Sequence, residues 1–125
     1  MILVDTSTWI DHLRSSDAQL VTLLQDSKVL GHPWVTGELA LGNLARRNEV
    51  LGLLHNLPHT TVATDVEVMT LIDHHQLFGL GSGYVDAHLL ASTRLSAGAK
   101  LWTRDKRLHA TAAQLELDHD DSQGP

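Results

Sequence analysis

The 125-residue chain predicts an α/β fold built on a parallel sheet, on three observations. Short apolar runs alternate along it with longer segments of helical periodicity, the pattern of strands joined by crossover helices. Helix-start signals stand where those longer segments begin: Asp17, Pro33, and Thr64 with Glu67 three residues on. Composition suits one globular domain, with 42% hydrophobic and 19% charged residues and no linker or repeat to divide the chain.

The first strand is expected at 2–5, the apolar run Ile2-Leu3-Val4 closed by Asp5. Thr8, three residues before Asp11, predicts the cap of a short helix that carries Trp9, Ile10 and Leu13 inward. Asp17 caps a second helix containing Leu20, Val21, Leu23 and Leu24. A short strand at 28–30 ends at Gly31. Pro33 then opens a helix over roughly 34–44, since its missing N–H would be unpaired in a first turn anyway. Gly37 and Gly42 fall inside that helix, where each costs up to about 1 kcal/mol relative to alanine, so they are expected to permit a close approach. Arg46 and Arg47 suit the negative pole at its end.

A helix over 50–57 stops at Pro58, and 60–63 reads as the third strand. The capping box Thr64/Glu67 starts a helix running to about 77. The loop 79–83 holds three glycines in five residues but completes neither G-x-x-x-x-G-K-S/T nor G-x-G-x-x-G, so it reads as a plain connection. A helix at 84–97, a fourth strand at 100–103, a helix at 104–113 and a short edge strand at 115–117 complete a sheet of about five strands. All of these lie in one domain, 1–117. The remainder, 118–125, with Asp118, Asp120 and Asp121, is expected to be a disordered acidic tail.

Composition also excludes functions. Zero cysteines rule out disulfides, thiolate zinc sites and a cysteine nucleophile, and fit a reducing cytoplasm. A net charge of −6 argues against holding nucleic acid through bulk positive potential. No apolar run approaches the ~20 residues of a membrane span, and no leader pattern precedes the first strand. Nine histidines invite a zinc site, but His74 and His75 are adjacent and Pro58 separates His55 from His59, so none forms an H-x-x-x-H pair on an unbroken helix.

Four acids carry the chemistry. Asp5 closes the first strand and Asp105 follows the fourth, the positions beyond strand carboxyl ends where parallel sheets bind ligands. Glu38 and Asp86 fall early in two helices that pack near those ends. Each has a plainer reading: Asp5 and Asp105 as turn or cap residues, Glu38 as a solvated side chain, Asp86 as an acid favoured by its helix dipole. Gathered together, they would repel one another and resist desolvation, and a hard divalent cation is what would hold them. Composition and spacing leave both readings standing.

Four segments in order resemble the PIN-domain ribonucleases: Val4-Asp5-Thr6-Ser7, Thr36-Gly37-Glu38-Leu39-Ala40, Tyr84-Val85-Asp86-Ala87-His88-Leu89-Leu90-Ala91 and Leu101-Trp102-Thr103-Arg104-Asp105-Lys106-Arg107-Leu108. Within these, the chain looks like a VapC-type toxin of a toxin–antitoxin pair. The resemblance implies a three-layer α/β/α sandwich and Mg²⁺- or Mn²⁺-dependent cleavage of RNA phosphodiesters. It also implies a homodimer inhibited by a small DNA-binding antitoxin. Carried over, Asp5, Glu38, Asp86 and Asp105 match the metal-holding acids and Thr103 the hydroxyl that supports them. Arg46, Arg47, Arg104, Lys106 and Arg107 become candidate phosphate contacts. Trp9, Leu13, Trp34 and Leu44 become candidates for an apolar groove that receives an antitoxin segment.

The rival reading is a phospho-accepting receiver domain, with Asp5 for Mg²⁺ and Asp65 as acceptor. Receivers usually carry paired acids after the first strand and a Lys-Pro near the last. Here Thr6-Ser7 follows Asp5, and the chain has no Lys-Pro. A haloacid-dehalogenase-type phosphatase would want an aspartate where Ser7 stands.

Overall fold

The computed structural model describes residues 1–120, an α/β arrangement of three parallel strands and seven helices among them. Strand β1 (Ile2–Val4) is central, between β2 (Val29–Leu30) and β3 (Lys100–Trp102). Ile2 pairs with Val29 and Lys100, and Val4 with Trp102. Leu3 and Val4, which point to opposite faces, are both fully buried, so protein covers both sides of the sheet. Because β2 and β3 lie on either side of β1, strand order reverses at its carboxyl end and opens a crevice there.

The sheet has three strands rather than about five, and both missing strands have a local cause. Around 60–63 the chain touches β2's end through one bridge, Gly31 with His59. Beyond it the N–H groups of Thr61 and Ala63 donate to the hydroxyls of Ser96 and Ser92, at 3.1 and 3.0 Å, instead of to a strand. At 115–117, Glu116 adopts φ 59°, a left-handed turn that an extended strand cannot contain. Pairing therefore reduces to the bridge of Leu101 with Asp118, flanked by Leu101 N–H to Leu117 O at 2.7 Å and His119 N–H to Leu101 O at 2.9 Å. The chain is thus still on the sheet edge at Asp118 and His119; of the stretch expected as a tail, 121–125 lies outside the described residues.

Helix α1 (Thr6–Arg14) follows β1 directly, with Asp5 as its N-cap residue. It starts earlier than Thr8, whose hydroxyl is buried and donates to Trp102 O at 3.3 Å. Only Trp9 of the three apolar residues expected inside is buried; Ile10 and Leu13, one turn apart, are 37% and 39% exposed on another face. Helix α2 (Ala18–Gln25) is capped by Asp17, which accepts from Leu20 N at 3.0 Å. Helix α3 (Pro33–Leu41) begins at Pro33 and stops at Gly42, short of the expected 44. A side chain at Gly37 would meet nothing within 4 Å, so no protein group makes the approach that glycine suggested.

Helix α4 (Arg47–Asn56) leads to α5 (Asp65–His75), which has the Thr64/Glu67 capping box in both directions. Helix α6 (Tyr84–Leu95) is buried continuously from Ala87 to Thr93, so it runs through the core. Helix α7 (Lys106–Gln114) starts from its N-cap Asp105.

Candidate active site

The site is built outward from Asp5. Its N–H still bonds Trp102 O at 2.9 Å, extending the sheet ladder, so its carboxylate stands where β1 opens into the crevice. Asp5 is buried, and two hydroxyls donate to one oxygen, Oδ2: Ser7 Oγ at 2.9 Å and Thr103 Oγ1 at 2.7 Å. Thr103, also buried, accepts from Asp105 N–H at 3.1 Å. One hydroxyl therefore ties the Asp5 carboxylate to the backbone of a second expected site acid.

Glu38 is exposed on α3, yet it is not loose. Thr6 Oγ1, in the residue after Asp5, donates to Glu38 Oε1 at 2.7 Å. Asp86 sits in the first turn of α6, half-buried, with Gly83 N–H donating to Oδ2 at 3.3 Å. Burial pushes its pKa up; so does repulsion from Asp5, Asp105 and Glu38, against the opposing pull of the Gly83 N–H. Asp86 thus feels all three other expected acids. Asp105 does act as a cap, its Oδ1 accepting from Arg107 and Leu108 N–H at 2.9 and 3.0 Å.

Among the described residues, no three acid or histidine side chains stand close enough to enclose a cation directly. The donor set still fits Mg²⁺ or Mn²⁺. It is all oxygen, and Mg²⁺ keeps several waters while taking only one or two carboxylates. Spread acids around one crevice suit a hydrated ion better than a dehydrated cage.

Sequence reading overlooked Thr6 and Ser7 as positioning groups. The signal was hydroxyls beside a strand-end aspartate, but their partners lie 32 and 96 residues away. His88 is buried, as is His32. His88 Nε2 lies 3.1 Å from Asp65 Oδ1, to which Tyr84 Oη also donates at 3.0 Å, so the acceptor of the rival phospho-relay is engaged here. Of the basic candidates, Arg104 pairs with Asp11 and Asp17, and Arg47 donates to Ala40 O. Lys106 and Arg107 are exposed beside Asp105. Of the apolar groove candidates, Trp9 is core and Trp34 stacks on His88, while Leu13 and Leu44 line a groove with Ile10, Leu39 and Glu38.

Fold and site together describe an α/β protein with an acidic crevice at the carboxyl end of its sheet, a setting that hydrolases use. The comparisons narrow this. The chain is 54% identical over 114 residues to Ribonuclease VapC32 of Mycobacterium tuberculosis, in both strain CDC 1551 / Oshkosh and strain ATCC 25618 / H37Rv, covering 91% of this chain and 92% of each relative. It belongs to the VapC-type PIN-domain ribonuclease toxins. No protein-family model matches the chain, and no solved structure matches it.

Proposed function

We propose that this chain is a Mg²⁺- or Mn²⁺-dependent endoribonuclease and the toxin of a toxin–antitoxin pair, with Asp5, Glu38, Asp86 and Asp105 holding the cation. The observation that carries the reading is a pair of hydroxyl links at one strand end, Thr103 joining the Asp5 carboxylate to Asp105 N–H and Thr6 holding Glu38; Asp86, raised by burial first, is raised further by those three acids. An acid that its neighbours disfavour in this way has a reason to stand among them when a divalent cation relieves it.

A bound cation supplies the charge that polarises a phosphodiester and acidifies a water. The chain's own residues do the positioning. Ser7 and Thr103 fix the Asp5 carboxylate through Oδ2. Thr6 holds Glu38 beside the same strand end. Glu38 and Asp86 orient water at the edge of the site, and Lys106 and Arg107 meet backbone phosphates.

The fold is read as the PIN-type α/β/α sandwich, one nuclease domain over 1–117, on the support of a central strand buried on both faces. The protein is read as a cytoplasmic homodimer; among the described residues no helix is long and apolar enough to cross a membrane. The antitoxin is read as an amphipathic segment seated in the groove of Ile10, Leu13 and Leu44, where it reaches Glu38. The test is cation dependence. RNA cleavage should require added Mg²⁺ or Mn²⁺ and stop in EDTA, and the cation should raise Tm. Full cleavage in EDTA by rigorously purified protein sinks the reading.

A further inference from the structure

A chain with net charge −6 has little bulk positive potential with which to hold RNA, and Arg104 and Arg47 are engaged within the fold. Affinity must then come in part from uncharged contacts. The surface offers a pair of aromatics for this purpose beside the acids. Trp34 and Tyr84 are 37% and 43% exposed. Both rest on the buried His88: the Trp34 indole stacks on the imidazole at 4.2 Å and 24°, and the Tyr84 ring meets it edge-on at 4.8 Å and 88°. With one indole face lying on His88, the accessible share of Trp34 belongs to the opposite face and the edge.

The pair is fixed in place. Asp65 Oδ1 lies within hydrogen-bond distance of both Tyr84 Oη and His88 Nε2, so little ordering remains to oppose binding. It also stands on the same two helices as two of the acids. Trp34 and Glu38 are four residues apart on α3, the same face and about 6 Å along the axis. Tyr84 and Asp86 share the first turn of α6.

From this geometry we infer that Trp34 and Tyr84 form a stacking platform for an unpaired nucleobase of the RNA strand that crosses the acidic crevice. Single-stranded RNA is bound by stacking its bases on aromatic rings, and every base offers a π-face, so the platform adds affinity with little sequence preference. The inference rests on the proposed function and deepens it by naming two side chains that hold a base of the substrate.

Tryptophan fluorescence provides the test. Trp9 and Trp102 are 2% and 1% exposed, so Trp34 is the one indole among the three that a quencher can reach. The protein is held inactive by Asp5→Asn and titrated with a short single-stranded oligoribonucleotide in Mg²⁺. Binding is followed both by Trp34 emission and by anisotropy of a label on the oligonucleotide. Quenching that tracks binding is expected, as is protection of Trp34 from acrylamide. Trp34→Leu keeps an apolar side chain over His88 but removes the π-face, and should weaken binding roughly 5- to 150-fold. Trp34→Phe should recover most of that loss, and Tyr84→Leu should weaken binding while leaving the reporter in place. In the active enzyme, Trp34→Leu should raise KM with little change in kcat.

Binding without quenching, unchanged affinity in Trp34→Leu, or a Trp34 already shielded from acrylamide in the free protein by a second copy would each overturn the platform. Quenching needs no substitution at Trp34 or Tyr84, so a Trp34→Leu chain that fails to fold leaves the test intact. An Asp5→Asn protein that still cleaves would instead overturn the acid site, a separate failure.

Discussion

Thr103 carries more than its size suggests, and removing its hydroxyl alone should reveal this. Thr103→Val keeps the branched shape in a buried position but deletes the 2.7 Å bond to Asp5 Oδ2 and the acceptor for Asp105 N–H. A hydrogen bond to a charged group contributes about 1.5–3 kcal/mol, and Asp5 is too buried for water to replace the donor easily. Ser7 still donates to the same oxygen, which limits the loss. The Asp105 N–H lies nearer solvent and adds a few tenths. Together these give about 2–3 kcal/mol, which for a domain of this size lowers Tm by roughly 10 °C. Urea titration and calorimetry without cation measure it, with Thr103→Ser as the control that restores the hydroxyl. Cleavage should fall in Thr103→Val and largely return in Thr103→Ser, since the Asp5 carboxylate loses one of its two hydroxyl restraints only in the former. A Thr103→Val protein within about 0.5 kcal/mol of wild type would refute the view that this hydroxyl holds the carboxylate.

Two further outcomes are expected. His32 is wholly buried, and burial first, then His88 and His59, pushes its pKa down to about 4 from 6.5. The unfolded chain therefore binds this proton more readily, so stability should be full above about pH 6.5 and fall by about 3 kcal/mol as pH drops to about 4. His32→Asn, which can still cap Trp34 N–H, should flatten that slope in urea titrations, and an unchanged slope would contradict the assignment. Asp86 has the opposite sign: its raised pKa means the folded state holds the proton more tightly, so its carboxylate costs stability as pH rises. Asp86→Asn should therefore raise Tm without cation and shrink the rise that Mg²⁺ or Mn²⁺ produces; a lower Tm with an undiminished cation effect would show that Asp86 is not strained by its neighbours.

What was legible in the sequence was local. Asp17, Pro33 and the Thr64/Glu67 box mark helix starts because a cap and its partner lie within one turn. Asp5 was legible as a strand-end acid because it directly follows the apolar run of β1. The size of the sheet was not, because pairing at 60–63 depends on whether N–H groups meet a strand or the serines of α6, and Ser92 and Ser96 lie about thirty residues on. Burial of His32 was hidden likewise: its Nε2 finds Ser92 Oγ at 3.0 Å, 60 residues away. The turn at Glu116 carries no glycine to announce it. Thr6 and Ser7 stood in plain view, but only the folded chain brings Glu38 and Thr103 to their hydroxyls.

The central claim is that Asp5 serves a cation and not the fold, and Asp5→Asn tests it most directly. Asparagine matches the shape, still accepts from Ser7 and Thr103, and is as good an N-cap residue as aspartate. It lacks the charge that a hard cation needs. The measurement is RNA cleavage by purified Asp5→Asn protein in Mg²⁺ or Mn²⁺, with calorimetry alongside. The account predicts a folded protein, at least as stable as wild type without cation, whose cleavage falls by orders of magnitude and whose Tm no longer responds to the metal. A folded Asp5→Asn protein that cleaves RNA at the wild-type rate would contradict it.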